Sequence, residues 1–335
     1  MNLKELITYR TILEKINGID GKAIERTIFD ELNAVNRRIN SSYVDMLNIK
    51  ENMYNKQQII LENLTGMYDD LNRLLEEVDK QIILQEDDYH RKSYEVREAD
   101  SKKTPESKYH ERGFGELARR PSYLPFGMLE PKERFIGMCR KFIDFKYPGV
   151  EIGPVTGDIA EELVPLDPLY LADNTIDRLQ SMKKLWNGIY QKRLRYYELN
   201  DDDDAPLNVF PHDQIGFIAS WNWFNYKPYD VTQRYIKSAF NVLRPGGTML
   251  FTYNNCSYPE AVDKVDKMQY SYINGNALKK YCKSLGFEII SSFDGEKEID
   301  WCLSWLEIKK PGKLTSLRGG QNLGAINRLW NGDNE

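Results

Sequence analysis

The sequence has few of the residues that build metal sites and disulfide frameworks. Its 335 residues include four cysteines and three histidines, all irregularly spaced and without a Cys-x-x-Cys pair. This pattern argues against a zinc site or a disulfide scaffold and is typical of idle thiols in a reducing compartment. We therefore expect no metal ion.

Long apolar runs and a strong charge of one sign are also missing. No run approaches the roughly 18 apolar residues that a membrane span needs, and the first ten residues lack the apolar core of a signal peptide. The formal net charge of −5 gives no reason to expect nucleic acid as a partner. With 41% hydrophobic and 29% charged residues, we expect a soluble cytoplasmic protein without a membrane partner.

Residues 22–98 lack proline and contain a single glycine, Gly66. Apolar side chains recur there every seven residues, with a partial second row between them, which is typical of a coiled coil or a helical hairpin. The first row is Leu32, Ile39, Met46, Met53, Ile60, Met67 and Leu74. The partial second row is Val35 and Ile49 early on, and Leu64, Leu71 and Val78 later, shifted by one residue. The segment "INGIDGK" at 16–22 predicts a break after a short first helix. We expect a helical region over 1–98, in which 22–98 either packs on its own domain or mediates homo-oligomerisation or assembly.

The rest of the chain divides into three parts. Residues 99–130 are polar, contain Pro and Gly, and read as a linker, while the Gly- and Asn-rich residues 311–335 predict a flexible tail. Strand and helix patterns alternate over 131–310, which predicts an α/β sheet. Strands are expected at "GVEIG", "PLYLAD", "RLRYYELN", "QIGFIAS", "GTMLFTYNN", "FEIISSFDG" and "WCLSWLEIKK".

The stretch "VEIGPVTG" at 150–157 lies between a predicted strand and the predicted helix "DIAEEL". Parallel α/β sheets bind ligands at such turns, where glycines allow a close approach and the following helix presents free N–H groups. Asp173 ends the next predicted strand, twenty-two residues after Glu151. An acid there can accept both hydroxyls of a ribose, so the sequence predicts a nucleotide-cofactor site.

Three segments resemble class I S-adenosylmethionine-dependent methyltransferases. "VEIGPVTGDIAEEL" is similar to their motif I, "LYLAD" to their second motif, and "NVLRPGGTMLF" to their signature before the fifth strand. The third is the most specific, because Pro245 and Gly246-Gly247 should stop a helix and turn the chain into a strand. The resemblance covers about 131–310. It implies a Rossmann-like seven-stranded sheet ending in an antiparallel hairpin, and S-adenosylmethionine as cofactor, whereas a dehydrogenase would need Gly-x-Gly-x-x-Gly.

The resemblance assigns the methionine end of the cofactor to the first loop. Glu151 would act through this loop and the cofactor amino group, and Gly153, Pro154 and Gly157 would line the methionine moiety. Val155 stands where the family has its middle glycine. Its branched side chain adds bulk and resists positive φ, so either the loop takes another path or the pocket is narrower.

The resemblance assigns the nucleoside end to the next two strands. Asp173, followed by Asn174, would hold the ribose, and Asp201 would bind the adenine amino group. Because four Asp stand in a row from Asp201, a solvated turn fits this run equally well. Ser220 and Trp221, after the fourth strand, would lie beside the sulfonium.

No catalytic residue stands out. Asn222 and Phe224 are faintly similar to the motif of DNA amino-methyltransferases, but the prolines are missing. Trp221, Trp223, Phe224 and Tyr226 could form an acceptor pocket or part of the core. Two functions remain open: an S-adenosylmethionine-dependent methyltransferase with a small-molecule or protein acceptor, and an inactive structural or scaffolding protein that assembles through its helical arm. The Asn-, Lys-, Ile- and Tyr-rich composition would suit the latter as a phage virion component.

Overall fold

A computed structural model describes residues 2–18, 26–31, 45–103, 126–154, 157–186, 188–294 and 304–313. The helices are α1 Leu3–Asn17, α2 Asp45–Ser101, α3 Phe126–Cys139, α4 Asp158–Leu163, α5 Ile176–Leu185, α6 Gly188–Gln191, α7 Tyr229–Val242, α8 Pro259–Asp266 and α9 Gly275–Ser284. The strands are β1 Gly149–Ile152, β2 Leu169–Asp173, β3 Leu194–Glu198, β4 Ile215–Ser220, β5 Leu243–Tyr253, β6 Glu288–Phe293 and β7 Ser304–Lys309. Residues 26–31 are also helical. The chain forms two compact units, Met1–Asp87 and Asp88–Glu335.

In the first unit, α1 and α2 pack antiparallel. Nε of Arg10 lies 2.9 Å from Oδ1 of Asp79, and Nδ2 of Asn17 donates to Oδ1 of Asn72 at 3.5 Å. The buried apolar side chains of this unit are Leu3, Leu6, Ile7 and Leu13 of α1 and Val78 and Ile82 of α2. The predicted break after a short first helix is confirmed, because α1 ends at Asn17. The first members of both apolar rows, at 32, 35 and 39, lie outside the described residues.

Helix α2 has 57 residues, which corresponds to a length of about 85 Å. From Asp88 onward it belongs to the second unit. There, Oγ of Ser93 accepts a hydrogen bond from the backbone N–H of Tyr272 at 2.7 Å, and Nη2 of Arg97 lies 2.9 Å from Oδ1 of Asp202. Helical backbone thus extends into both ends of the predicted linker 99–130, since α2 ends at Ser101 and α3 begins at Phe126. Residues 104–125 of that linker and 314–335 of the predicted tail lie outside the described part of the chain.

The second unit contains a seven-stranded sheet in the order β3-β2-β1-β4-β5-β7-β6. The first five strands are parallel, and β7 runs antiparallel to both of its neighbours. All seven predicted strands are present, and the predicted fold class is confirmed: a Rossmann-like methyltransferase sheet behind an N-terminal helical region. The strand order reverses between β1 and β4, so the ligand edge of such a sheet lies where these two strands end.

The Pro-Gly-Gly segment differs from its prediction. Helix α7 ends at Val242 and β5 begins at the next residue, so Pro245 and Gly246 lie inside the strand and do not end the helix. Pairing with β4 shifts across this segment, because Leu243 faces Ile215 whereas Thr248 faces Phe217. Gly246 has a φ of 82°, which a residue with a side chain rarely adopts. The segment therefore forms a β-bulge at the start of a central strand.

Two apolar cores pack against the two faces of the sheet. On β2, Leu169 and Leu171 face one core while Tyr170 and Ala172 face the other, as the strand period of two requires. Every residue of β4 is buried, which explains why this central strand is an almost continuous apolar run. The carboxyl ends of β1, β2 and β4 are thereby held in place from both sides of the sheet.

We expect Leu6→Ala to lower the stability of the first unit by about 2–5 kcal/mol, because Leu6 is fully buried and its truncation leaves a cavity. Ile12→Ala on the same helix is the control: this side chain is 49% exposed, so its loss should matter by about 0.5 kcal/mol or less. Urea unfolding followed by circular dichroism measures both. Equal losses would contradict the orientation of α1.

Candidate functional site

The loop after β1 has the backbone of a close-approach turn. Gly153 and Gly157 have φ angles of 74° and 78°, in the left-handed region that favours glycine. Gly157 immediately precedes α4, and Pro154 between the two glycines is buried. Val155 and its neighbour at 156 lie outside the described residues, so the effect of Val155 on this loop stays a prediction.

The indole of Trp223 lies directly against Gly153. A Cβ atom on Gly153 would lie 2.2 Å from Cδ1 of Trp223, so the two groups are already in contact. Trp223 is 1% exposed, and its ring packs edge-on against Phe224 and Tyr235, with centroids 5.0 and 4.8 Å away. The space beside this glycine is therefore filled by a core side chain.

The other aromatic residues after β4 are buried as well. Trp221 packs on Phe135 with ring centroids 4.9 Å apart, and Phe224 and Tyr226 are at most 2% exposed. This burial is what the core interpretation predicts for them. Ser220 is also buried, and its Oγ donates to the carbonyl oxygen of Ile152 at 3.1 Å, which joins the ends of β4 and β1.

Glu151, near the end of β1, is buried with one unpartnered oxygen. It is 4% exposed, and Oε2 has no hydrogen-bond partner among the described residues. Burial raises the pKa of Glu151 to about 8, with a further upward contribution from Asp158 and an opposing one from Lys132. Lys132 itself forms an ion pair with Asp158. Glu151 is therefore mostly protonated at neutral pH.

Asp173, at the end of β2, is fully buried with both oxygens engaged. Oδ2 accepts from Nη1 of Arg178 at 2.9 Å, and Oδ1 accepts from the backbone N–H of Thr175 at 2.9 Å. Arg178 lies in the first turn of α5 and is 2% exposed. The two groups form a buried ion pair, so the predicted ribose acid already has a charged partner within the chain.

Asp201 is the centre of a second buried network. Its Oδ2 accepts from Nζ of Lys227 at 2.5 Å and from Nδ2 of Asn174 at 2.9 Å, and its Oδ1 accepts from the Tyr235 hydroxyl at 2.8 Å. Burial acts to raise the pKa of Asp201, but Lys227 and Tyr235 outweigh it and hold the pKa below its ordinary value. Lys227 also lies 4.1 Å from the centroid of the Trp223 ring, a cation–π contact.

The four consecutive aspartates, for which the sequence left open an adenine-binding acid at Asp201 or a solvated turn, differ in their exposure. Asp201 is 7% exposed, whereas Asp202, Asp203 and Asp204 are exposed. The first residue of the run therefore lies in the protein interior, and the other three face solvent.

Asp173, Asn174 and Asp201 were predicted from the sequence, whereas Arg178 and Lys227, the cations that bind the two aspartates, were not. Arg178 follows Asp173 by five residues, so its side chain in the first turn of α5 lies close to the end of β2. This pair could therefore have been predicted from the spacing in the sequence. Lys227 could not, because its contact with Asp201 spans 26 residues and depends on the tertiary fold. At the predicted methionine end, Gly153, Pro154 and Gly157 follow Glu151 directly in the chain. At the predicted nucleoside end, Asn174 bonds to Asp201, and Asp173 is paired with Arg178.

Metal ligands and membrane-spanning helices are not found in the described ranges. There, no three His, Cys, Asp or Glu side chains come together as a metal site, and no helix is both long and apolar enough to cross a membrane. Cys139, Cys256 and Cys282 are buried and form no disulfide bond, and Cys302 lies outside those ranges.

Comparisons with known proteins give similarity of fold only. No protein-family model and no curated protein matches the sequence. An S-adenosylmethionine-dependent methyltransferase from Mesorhizobium loti is 12% identical with a TM-score of 0.42, over 54% of this chain and 98% of that one. Another from Aquifex aeolicus is 10% identical with a TM-score of 0.39, over 53% of this chain and 88% of that one. These values are too low to bear on activity, and the fold assignment rests on this chain's own strand order.

The residues predicted for the methionine end and those predicted for the nucleoside end differ in how well they fit S-adenosylmethionine. At the methionine end, the unpartnered oxygen of Glu151 could accept a hydrogen bond from an ammonium group. At the nucleoside end, Asp173 and Asp201 are buried behind Arg178 and Lys227. The described residues therefore do not fit the nucleoside in this conformation.

Glu151→Gln should flatten the pH dependence of stability between about pH 4.5 and 8. The folded protein keeps a proton on Glu151 up to a pKa of about 8, whereas the ordinary value is 4.5. The folded state thus binds more protons than the unfolded state in this window, and stability falls as pH rises through it. Above pH 8 the variant should be more stable than the parent by about 1–4 kcal/mol.

Urea midpoints measured from pH 4 to 9 test this expectation. Glu161→Gln, on the exposed side of α4, is the matched control and should leave the profile unchanged. If the Glu151→Gln profile ran parallel to that of the parent, Glu151 would not be the group that titrates.

Proposed function

We propose that this chain uses a methyltransferase fold for binding and assembly and does not transfer methyl groups. It would be a catalytically inactive structural or scaffolding protein, whose partner is a second copy or another protein, such as a virion component. One observation carries the proposal: the carboxylates expected to recognise the nucleoside, Asp173 and Asp201, are buried and paired with the chain's own cations.

Side chains of this protein contact the residues that were expected to contact the cofactor. Asp173, expected at the ribose hydroxyls, accepts a hydrogen bond from the guanidinium of Arg178, and Asp201, expected at the adenine amino group, accepts one from the ammonium of Lys227. The indole of Trp223 lies on Gly153, where the methionine moiety is expected. These three internal contacts support the proposal that this edge of the sheet does not bind the cofactor.

Energetics disfavour exchange of these partners for a nucleoside. Hydrogen bonds between ionised groups are roughly twice as strong as neutral ones, so hydroxyl and amino donors compete poorly with Arg178 and Lys227. Removing one partner of a buried ion pair costs about 3–5 kcal/mol, because the other charge is left uncompensated.

The alternative function is an S-adenosylmethionine-dependent methyltransferase with a small-molecule or protein acceptor, and one observation favours it. The unpartnered Oε2 of Glu151 is a buried acceptor beside the loop expected to hold the cofactor amino group. The cofactor would supply the methyl group once Arg178 and Lys227 had moved aside. The residues that would hold it are Glu151, Gly153, Pro154, Gly157, Asp173, Asn174, Asp201, Ser220 and Trp221.

We expect calorimetry to show no binding of S-adenosylmethionine or S-adenosylhomocysteine to the full chain at millimolar concentration. A thermal-shift assay should agree, since ligand at a hundred times its Kd would stabilise the fold by roughly 2.7 kcal/mol. Saturable binding that Asp173→Asn abolishes, and that Asp177→Asn on the exposed face of α5 leaves intact, would establish the methyltransferase alternative.

A double-mutant cycle tests whether Asp173 has a structural role. Arg178→Met should lower stability by about 3–5 kcal/mol, because Asp173 is left as an uncompensated buried charge. Asp173→Asn combined with Arg178→Met removes both charges and should recover most of this loss. Denaturant unfolding of the four proteins measures the coupling. Unchanged stability of Arg178→Met together with a newly gained affinity for S-adenosylmethionine would instead identify Arg178 as a movable gate.

A further inference from the structure

Helix α2 carries a seam of exposed and half-buried apolar side chains before the part that contacts α1. Its apolar members are Met53, Ile60, Leu64, Met67 and Leu71. With Gln57 between the first two, successive positions are separated alternately by four and three residues, as in a heptad repeat. Met67 is 66% exposed and Ile60 42% exposed. The contact between Asn17 and Asn72 marks where the described part of α1 ends beside α2. The seam thus continues the apolar face of α2 past its contacts with α1.

Two further rows flank this seam along the helix. Tyr54, Leu61 and Tyr68 follow it on one side, and Tyr68 is 55% exposed. Lys56, Asn63 and Asp70 line the other side, and all three are exposed. The second row therefore runs from a positive charge, through a neutral amide, to a negative charge.

We infer that this seam is a self-association surface, on which the α2 helix of a second copy packs antiparallel. In an antiparallel pair, flanking rows of the same kind meet each other. When Asn63 lies opposite Asn63 of the second copy, Lys56 lies opposite Asp70, and the two-fold axis repeats this contact. The row Lys56, Asn63 and Asp70 therefore has opposite charges facing each other when it is paired antiparallel with itself. This complementarity favours a second copy of the chain as the partner.

The same register also aligns the apolar layers. Leu64 meets Ile60 of the second copy, Leu71 meets Met53, and Met67 meets Gln57, and the two-fold axis repeats each of these contacts. Across the other flank, Tyr54 meets Tyr68 and Leu61 meets itself. All layers follow from one choice of axis, so charge and apolar patterns select the same pairing.

A parallel pair would not use these charges. It would place Lys56 beside Leu61 and Asp70 beside Leu75 of the second copy, with no contact between opposite charges. In the single chain, Asp70 forms an ion pair with Arg73 of the same helix, and both side chains are more than two-thirds exposed. Such exposed pairs contribute little to stability, so Asp70 can also receive Lys56 from the second copy.

Sedimentation equilibrium of the full chain tests this proposal by charge reversal. The parent should be a dimer that dissociates on dilution. Lys56→Glu and Asp70→Lys should each raise the Kd about tenfold, because each replaces two attractive contacts by two repulsive ones. The double variant Lys56→Glu/Asp70→Lys restores opposite charges and should return the Kd to within about threefold of the parent.

A neighbouring residue provides the matched control. Asp69→Lys makes the same charge change at an exposed position turned away from the seam, and it should leave the Kd unchanged. Met67→Glu should abolish the dimer while circular dichroism shows an intact fold, since Met67 is exposed in the single chain. A monomer at every concentration would overturn the proposal, as would a dimer whose Kd responds equally to Asp69→Lys and Asp70→Lys. Lack of recovery in the double variant would overturn the antiparallel register.

The inference is independent of the crevice. The self-association assay contains no cofactor and reads only residues of the first unit, whereas the cofactor assay reads Asp173 of the second unit. The proposed function and this surface can therefore fail separately.

Discussion

A carboxylate that is removed from water must be paired with a cation or carry a proton, and this requirement organises the carboxyl edge of the sheet. Three acids lie buried there, and each meets it differently. Asp173 has the guanidinium of Arg178, and Asp201 has Lys227 with two further donors, Tyr235 and Asn174. Glu151, whose Oε2 has no partner among the described residues, retains its proton up to a pKa of about 8.

These pairings tie separate elements of the fold together. The bond between Arg178 and Asp173 connects α5 to the end of β2. The bond between Lys227 and Asp201 connects the segment before α7 to the residues after β3. Arg234 on α7 adds a hydrogen bond to the carbonyl oxygen of Asp201 at 2.9 Å. The edge at which an α/β sheet normally admits a ligand is here an internally bonded part of the fold. This internal bonding is the physical argument behind the proposal that the fold serves binding and assembly.

Sequence patterns predicted the elements well where local chemistry decides them. All seven strands were found, because each is a short apolar run between turn residues, and Gly153 and Gly157 were placed in a loop that requires their positive φ angles. The Pro-Gly-Gly segment was misplaced because the antiparallel neighbour β7 and the pairing with β4 draw these residues into a bulged strand. The long helix continues to Ser101, beyond the predicted start of the linker at residue 99, and within the second unit Ser93 and Arg97 bond to Tyr272 and Asp202.

The sequence by itself determined the class of fold and the positions of Glu151, Asp173 and Asp201 in or just after strands, since periodicity, glycine spacing and strand-end carboxylates are local properties. It also determined the charge row of α2, which is written in consecutive heptads. Only the tertiary structure decided what those acids bind. Lys227 reaches Asp201, and Trp223 reaches Gly153, across long separations in the chain, and the energy of such contacts depends on burial that no local pattern records.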